Sequence, residues 1–269
     1  MSFLVPTVAG ELRGHPHRAL SGPPSNTQIS VLDTNLLGPL DVNSGFYDAV
    51  SQRSPDIIIL QELNPTVAER LSSQLGASYP CKAVEPKPGV LGMGVFSKFP
   101  CTKRDVSKLR QGIGIPQIVD VQLPDQKTVG VINVHTIPPH ILTKHNSDDN
   151  EVQQLSNSII GRELFVEEII KASREVNTDA AIMAGDFNAT TRNRVYQLVR
   201  KMGYFDAFDV GSRLRGGTWP GPQFPLPSWL VRIDFIFHCA GLQAIEAETL
   251  PDGYGSDHRG VFAKLAFVN

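Results

Sequence analysis

The stretch MAGDFNAT, residues 183–190, ends an apolar run with a carboxylate and a carboxamide two positions apart. Side chains at that spacing leave an extended backbone in the same direction, so Asp186 and Asn188 can face one small target. A plainer reading competes with this: Asp186 in an Asx turn and Asn188 capping the next helix. The pattern recurs along the chain. Asn35 follows SVLDT, Glu62 follows IIILQ and His135 follows VGVINV. Asp234 lies within LVRIDFIF, and Asp257 and His258 sit in GYGSDHRGV. Strand termini gather along one edge of a sheet, so these groups can converge on one cleft. Several carboxylates brought together need protons or a cation. Oxygen ligands select a hard ion, Mg2+ or alternatively Mn2+.

Each residue alone has an ordinary role. Glu62 can be an acid at a helix start, His135 a satisfied strand-end histidine, and Asp257 a turn residue. Asp234 is different, because it interrupts the apolar run 233–237 and a charge there needs a partner. Arg232, two positions away, and His258 are the candidates.

Hydrophobic periodicity places the elements that would carry these residues. Strands are expected at 28–34, 56–61, 81–84, 93–97, 117–122 and 128–135, then up to Ala184, and finally at 231–238, 242–248 and 260–268. Helices are expected at 44–52, from Pro65 to about residue 74, at 151–176 and at 194–202. In the long helix Leu155, Ile159, Val166, Ile169 and Ile170 fall roughly on one face. Many short strands interspersed with helices fit an α/β (α+β) four-layer sandwich of two face-to-face mixed β-sheets flanked by helices. A parallel doubly wound sheet is the alternative. No repeat or shift in composition divides the chain, so one domain over 28–269 is expected behind an N-terminal extension, 1–27. Two long loops stand out, 136–150 with His140 and His145, and the Gly/Pro-rich 211–228.

The 269 residues carry 25 Lys plus Arg against 27 Asp plus Glu, a formal charge of -2. That balance excludes a global attraction to polyanions. Cys81, Cys101 and Cys239 are odd in number and form no CxxC pair, so they read as small buried hydrophobes without disulfide or zinc. No apolar run approaches the 18 residues of a membrane span. The N-terminus lacks the charged and apolar regions of a signal peptide. A cytoplasmic monomer is expected, with secretion left open should a leader be missing.

The ordered set DTNLLG, IIILQELNP, GMGVFSKFP, VINVHTIPP, MAGDFNATTRN, GGTWP, VRIDFIF and GSDHRGVFAKL resembles the endonuclease/exonuclease/phosphatase, or deoxyribonuclease I-like, superfamily. GGTWP, LPSWL and HTIPP are similar to a bacterial branch whose substrate is unassigned. The resemblance implies a Mg2+-dependent phosphoesterase. It implies Glu62 as principal metal ligand, with Asn35 and Asp257 near the ion or its waters. Asp186 would deprotonate the attacking water, which Asn188 helps to hold. Asp234 would orient His258, the donor to a phosphoryl or leaving-group oxygen, and His135 would be the second active-site histidine. Two positions depart from the pattern. Leu37 stands where the abasic-site nuclease branch carries an acid, and only Glu85 offers itself, poorly, as support for His135.

Substrate contacts are sought at Arg192, Trp219 and Arg232, with Trp229 a further aromatic. Arg194, Arg200, Lys201, Arg213 and Arg215 could add a basic patch, although residues 192–201 read better as a solvated helix face. A small-molecule or lipid-like phosphate ester is the favoured substrate. A DNA or RNA nuclease, and a non-hydrolytic metal-dependent enzyme or binding module, stay open.

Overall fold

A computed structural model of the protein describes residues 24–38, 43–138, 151–174, 178–209 and 216–268. Most of the extension (1–23), His140 and His145 in 139–150, residues 175 and 176, and Arg213 and Arg215 lie outside the described residues, as does the side chain of Leu155.

The chain begins with strand β1 (Pro24–Asn35), helix α1 (Ser44–Arg53), β2 (Ile57–Gln61) and α2 (Pro65–Leu75). Then come β3 (Cys81–Glu85), β4 (Met93–Ser97), β5 (Cys101–Lys103), β6 (Gln117–Gln122) and β7 (Thr128–His135). Helix α3 (Glu151–Arg174), β8 (Ala180–Asp186), α4 (Arg194–Lys201), β9 (Tyr204–Asp206) and a 3-10 turn (Ala207–Asp209) follow. Strands β10 (Asp234–Cys239), β11 (Leu242–Thr249) and β12 (Val261–Val268) complete it. Local chemistry sets several boundaries. Asn64 accepts from the Val67 N–H at 2.8 Å and Pro65 fills the first turn, which together start α2.

The strands form two six-stranded mixed sheets, β11-β12-β1-β2-β4-β3 and β5-β6-β7-β8-β10-β9. Alternation along β2 shows how the layers are filled. Ile57 and Ile59 face the inter-sheet core with Val31, Val95, Val131 and Ile182, while Ile58 and Leu60 face outward onto Phe46, Val67 and Leu71 of α1 and α2. On the other sheet, Ile132, Met183 and Phe235 meet Phe165, Val166, Ile169 and Ile170 of α3 and Val195 and Val199 of α4. The result is the four-layer sandwich, and strands buried on both faces explain the unbroken apolar runs. Ile159 departs from the expected α3 face and is 37% exposed.

Three elements escaped the periodicity reading: β5, β9 and the 3-10 turn, each of three residues. The reading of all three cysteines as buried hydrophobes is corrected. Cys81 and Cys101 are disulfide-bonded with Cα atoms 5.8 Å apart, and Cys239 is free. Cys81 opens β3 and Cys101 opens β5, the strands at one edge of each sheet. The bond therefore cross-links the two layers across their open edge.

Closing a loop of this length restricts the unfolded chain, worth about 3 kcal/mol. Cys101→Ser should lower the unfolding free energy in urea by about that amount while leaving the far-ultraviolet circular dichroism unchanged. An unaltered denaturation midpoint would show that the cross-link contributes nothing.

Candidate active site

The two sheets each contain one parallel pair, β1 with β2 and β7 with β8. In β1–β2 Asn35 stands opposite Gln61, next to Glu62. In β7–β8 His135 stands opposite Asp186, and in β8–β10 Asp186 stands opposite Asp234. Asp186 has the inward parity of Ile182 and Ala184, and Asp234 that of Ile236. The core between the sheets thus turns from apolar to polar at one end.

The backbone there is unusual. Gly185 has φ 146°, and a Cβ on it would lie 1.8 Å from the Val134 carbonyl oxygen, so only glycine fits. Glu62 and Asn188 have φ 56° and 45°, left-handed values that cost free energy in residues bearing a Cβ. Surrounding bonds hold the Asn188 turn. Thr136 donates its hydroxyl to the Phe187 carbonyl, Arg162 donates from Nη1 to the Asn188 carbonyl at 2.8 Å, and Asn188 donates from Nδ2 to the Thr136 carbonyl at 3.0 Å. The plainer reading of MAGDFNAT is realised in part. The Asn188 N–H donates to Asp186 Oδ1 at 2.7 Å as in an Asx turn, and its Nδ2 donates to Asp186 Oδ2 at 3.0 Å. The cap of α4 is Asn193, not Asn188.

The carboxylates converge. Asn35 Nδ2 donates to Glu62 Oε1 at 3.0 Å and to Asp186 Oδ2 at 3.2 Å. His135 Nε2 lies 3.8 Å from Glu62 Oε1 and 3.6 Å from Asp186 Oδ2. His258 binds Asp234 through Nδ1 at 2.9 Å, while its Nε2 lies 3.9 Å from Asp186 Oδ2 and 4.0 Å from Asp257 Oδ1. Trp219 donates from its indole N–H to Asp257 Oδ2 at 3.1 Å, leaving Oδ1 buried without a partner. Glu62 Oε2 accepts the Gly38 N–H at 2.9 Å. Asn35 Oδ1 accepts the Leu37 N–H at 3.0 Å, while its Nδ2 bridges the two carboxylates.

Burial and neighbouring charge divide the protons. Burial pushes the Asp186 carboxyl up to about 7, with the Asp234 charge adding and His258 opposing. Burial alone would lower the His258 imidazole, but Asp234 and Asp186 outweigh it and hold it at about 10. Burial, reinforced by His258, drives His135 down to about 3, so that ring is neutral. Burial also raises Glu62, against the bonds from Asn35 and Gly38.

Behind this surface lies a polar chain that the sequence did not reveal. Gln61 Nε2 donates to Asp33 Oδ1 at 2.9 Å and to Asn133 Oδ1 at 2.8 Å. Asn133 Nδ2 donates across the sandwich to the Leu60 carbonyl at 3.0 Å and to Gln117 Oε1 at 3.1 Å. Burial, then Asp234, raises the Asp33 carboxyl well above its ordinary range. Asp33, Gln61 and Asn133 share the inward parity of Val31, Ile59 and Val131, so a polar residue two positions from an inward apolar one was the available signal.

A cavity of about 720 Å³ opens over Glu62, His135, Asp186, Asn188, Asp257 and His258, with Trp219 and Arg162 in its wall. Arg162, on α3, was not foreseen. Its burial lowers the guanidinium's affinity for its proton. Arg232, expected as a substrate contact, makes a two-point pair with Asp206 at 2.9 and 2.6 Å, stacks on Phe208 and Phe235, and is not among the residues lining the cavity. Arg192 is exposed and is not among the residues lining the cavity, which leaves its expected contact unsupported. Arg194 and Arg200 pair with Glu163 and Asp209, consistent with a solvated helix face. Glu85 pairs with Lys103 and gives His135 no support. Trp229 lies against the Arg259 guanidinium, 4.8 Å from its ring centre.

A profile of the Endonuclease/Exonuclease/phosphatase family matches residues 34–258. No curated protein matches the chain. Among solved structures, an endonuclease/exonuclease/phosphatase family protein from Bacteroides thetaiotaomicron superposes with a TM-score of 0.66 at 16% identity, covering 90% of this chain and 99% of that one. D. rerio TDP2, complexed with a single-strand DNA product, gives 0.64 at 16%, covering 89% and 99%. The AP endonuclease LMAP from Leishmania major gives 0.61 at 15%, covering 89% and 88%. At these identities the likeness shows the fold, two mixed sheets between helices.

The Asp234–His258 pair predicts a pH dependence in metal-free protein. His258 keeps its proton in the native state up to about pH 10 but loses it near 6.5 when unfolded. Its stabilisation is complete below about 6.5 and is lost as pH rises through about 10. The Asp186 shift acts with the same sign but is spent by about pH 7, and the opposing His135 shift is spent by about 6.5. Unfolding free energy in EDTA should therefore fall between pH 7 and 10, and Asp234→Asn should flatten that decline. Equal slopes in the two proteins would refute the pairing.

Proposed function

The chain belongs to the endonuclease/exonuclease/phosphatase family, and we propose that it is a Mg2+-dependent phosphoesterase with its centre at Glu62, Asp186 and His258. The convergence of Glu62 and Asp186 on the Asn35 amide, beside the Asp234–His258 pair, carries this reading. Residues 28–269 act as one catalytic unit.

The donor set fits a hard divalent cation: Glu62 and Asp257 both line the cavity, and Asp257 has a buried oxygen that accepts no hydrogen bond. Glu62 and Asp257 would hold the ion, with Asn35 ordering the carboxylates around it. When bound, it polarises the phosphoryl oxygens as a Lewis acid, and Mn2+ can take the same oxygens. A second grouping, one ligand atom each from Asp186, Asp234 and His258, lies within 4.8 Å. We favour the first, because Asp234 is already committed to His258 Nδ1.

Asp186, with its affinity for a proton raised to about 7, takes a proton from the attacking water. Asn188, bonded to that carboxylate, orients it towards the water. An O–P bond forms from the water, and the opposite P–O ester bond breaks. His258, held as imidazolium by Asp234, donates from Nε2 to the departing oxygen or a nonbridging one. Neutral His135 fills the space between Glu62 and Asp186 without adding charge, a hydrogen-bond donor to a substrate oxygen. Trp219 holds Asp257 and forms part of the substrate wall.

A small or lipid-like ester is favoured over nucleic acid, because Arg162 is the one Lys or Arg among the described lining residues. A polyanion needs several cations along its path. The Cys81–Cys101 bond favours an oxidising compartment over the cytoplasm expected from the sequence. Among the described residues no helix is long and apolar enough to cross a membrane.

With bis-p-nitrophenyl phosphate and Mg2+, Asp186→Asn should reduce kcat by about 10²- to 10⁴-fold, the usual contribution of a general base, without loss of fold. His258→Gln should cost more for an alkyl leaving group than for p-nitrophenolate, which departs without a proton. Undiminished turnover in Asp186→Asn would reject the mechanism. EDTA-sensitive nicking of supercoiled DNA, faster than any small ester, would establish a nuclease instead.

A further inference from the structure

The cavity's floor is ionic, yet much of its wall is hydrocarbon. Leu37, Val90, Ile113, Phe224, Val231 and Ile233 line it. They come from separate connections: after β1, between β3 and β4, between β5 and β6, and before β10. Their backbones are anchored. The Leu37 N–H donates to Asn35 Oδ1 at 3.0 Å, the Ile113 N–H to the His135 carbonyl at 3.0 Å, and the Val231 N–H to the Trp219 carbonyl at 2.9 Å. Leu37 adopts φ 55°, an uncommon conformation for a branched side chain, held by that bond.

The apolar character continues outwards. Leu91, Leu226 and Leu230, neighbours in sequence of Val90, Phe224 and Val231, are 51%, 49% and 61% exposed. Against this wall the described lining offers a single guanidinium, Arg162, already bonded to the Asn188 carbonyl. A volume of about 720 Å³ far exceeds what one phosphate fills.

We propose that this cavity selects phosphate esters of apolar alcohols, with the phosphate at the ionic floor and the hydrocarbon or aryl group against Leu37, Val90 and Phe224. This rests on the phosphoesterase reading and adds the substrate class. Binding of the apolar group excludes water from the wall, so affinity grows with chain length until the cavity is filled.

The test uses the Mg2+-loaded protein and a series of p-nitrophenyl alkyl phosphodiesters, methyl to hexyl, each below its micelle concentration. The leaving group stays constant while the alkyl group grows. kcat/KM should rise by up to about fourfold per methylene, the rate equivalent of burying one, and fall for the p-nitrophenyl ester of thymidine monophosphate. Phe224→Ser should compress the hexyl-to-methyl ratio. As a readout independent of turnover, hexylphosphonate should raise Tm more than methylphosphonate does. Turnover with no dependence on chain length, or with the nucleoside ester preferred, overturns the apolar subsite alone. No turnover of any ester overturns the phosphoesterase reading beneath it.

Discussion

Several acidic groups end together at one rim of an otherwise hydrocarbon core, and their charge must be compensated on the spot. Burying an ionised carboxylate unpaired is far more costly than any single packing defect. Here compensation is distributed. The Asn35 amide serves two carboxylates at once, Gly38 donates to Glu62, and His258 carries the positive charge that Asp234 retains. At Asp33 burial, and then the Asp234 charge, answers the same constraint by raising the carboxyl's affinity for its proton. One oxygen of Asp257 accepts no hydrogen bond inside the protein and has only the His258 ring, 4.0 Å away, to offset its charge.

Rigidity follows from how the groups are mounted. His135, Asp186 and Asp234 occupy one row across three hydrogen-bonded neighbours, β7, β8 and β10, so their spacing is set by sheet geometry instead of loop conformation. The Gln61–Asn133 bond then ties the row in one sheet to the strand ends of the other. Left-handed residues at Glu62 and Asn188 aim side chains that a regular strand would point elsewhere, and the bonds from Thr136 and Arg162 hold one of those turns. Such over-determination is what a site needs when its groups must meet a charge developing in a transition state.

Much of this was legible from residue order because strands buried on both faces announce themselves, and their polar ends are abrupt. Asn35, Glu62, His135 and Asp186 were visible for that reason, Asp234 because it interrupts an apolar run, and Asp257 and His258 through GSDHRGV ahead of β12. What stayed hidden depended on pairing between segments distant in the chain. Cys81 and Cys101 meet only because the edge strands of different sheets lie side by side. Arg232 looked like a partner for its near neighbour Asp234, but β10 begins at Asp234 and the adjacent β9 brings Asp206 to the guanidinium. Arg162 resembled any arginine on an amphipathic helix until the turn after β8 was seen to pack on it. Three-residue strands have too few alternations to leave a periodic signal.

The two histidines show why position outweighs residue type. Both rings are almost fully buried and both lie within 4 Å of Asp186. His258 has a carboxylate on its far nitrogen and stays charged, whereas the far nitrogen of His135 has no partner and that ring stays neutral. A second imidazolium would add positive charge beside the same two carboxylates, whereas a neutral ring adds none. The asymmetry between the charged ring and the neutral one therefore rests first on Asp234, standing opposite Asp186 in the β8–β10 register, with Asp186 adding to it.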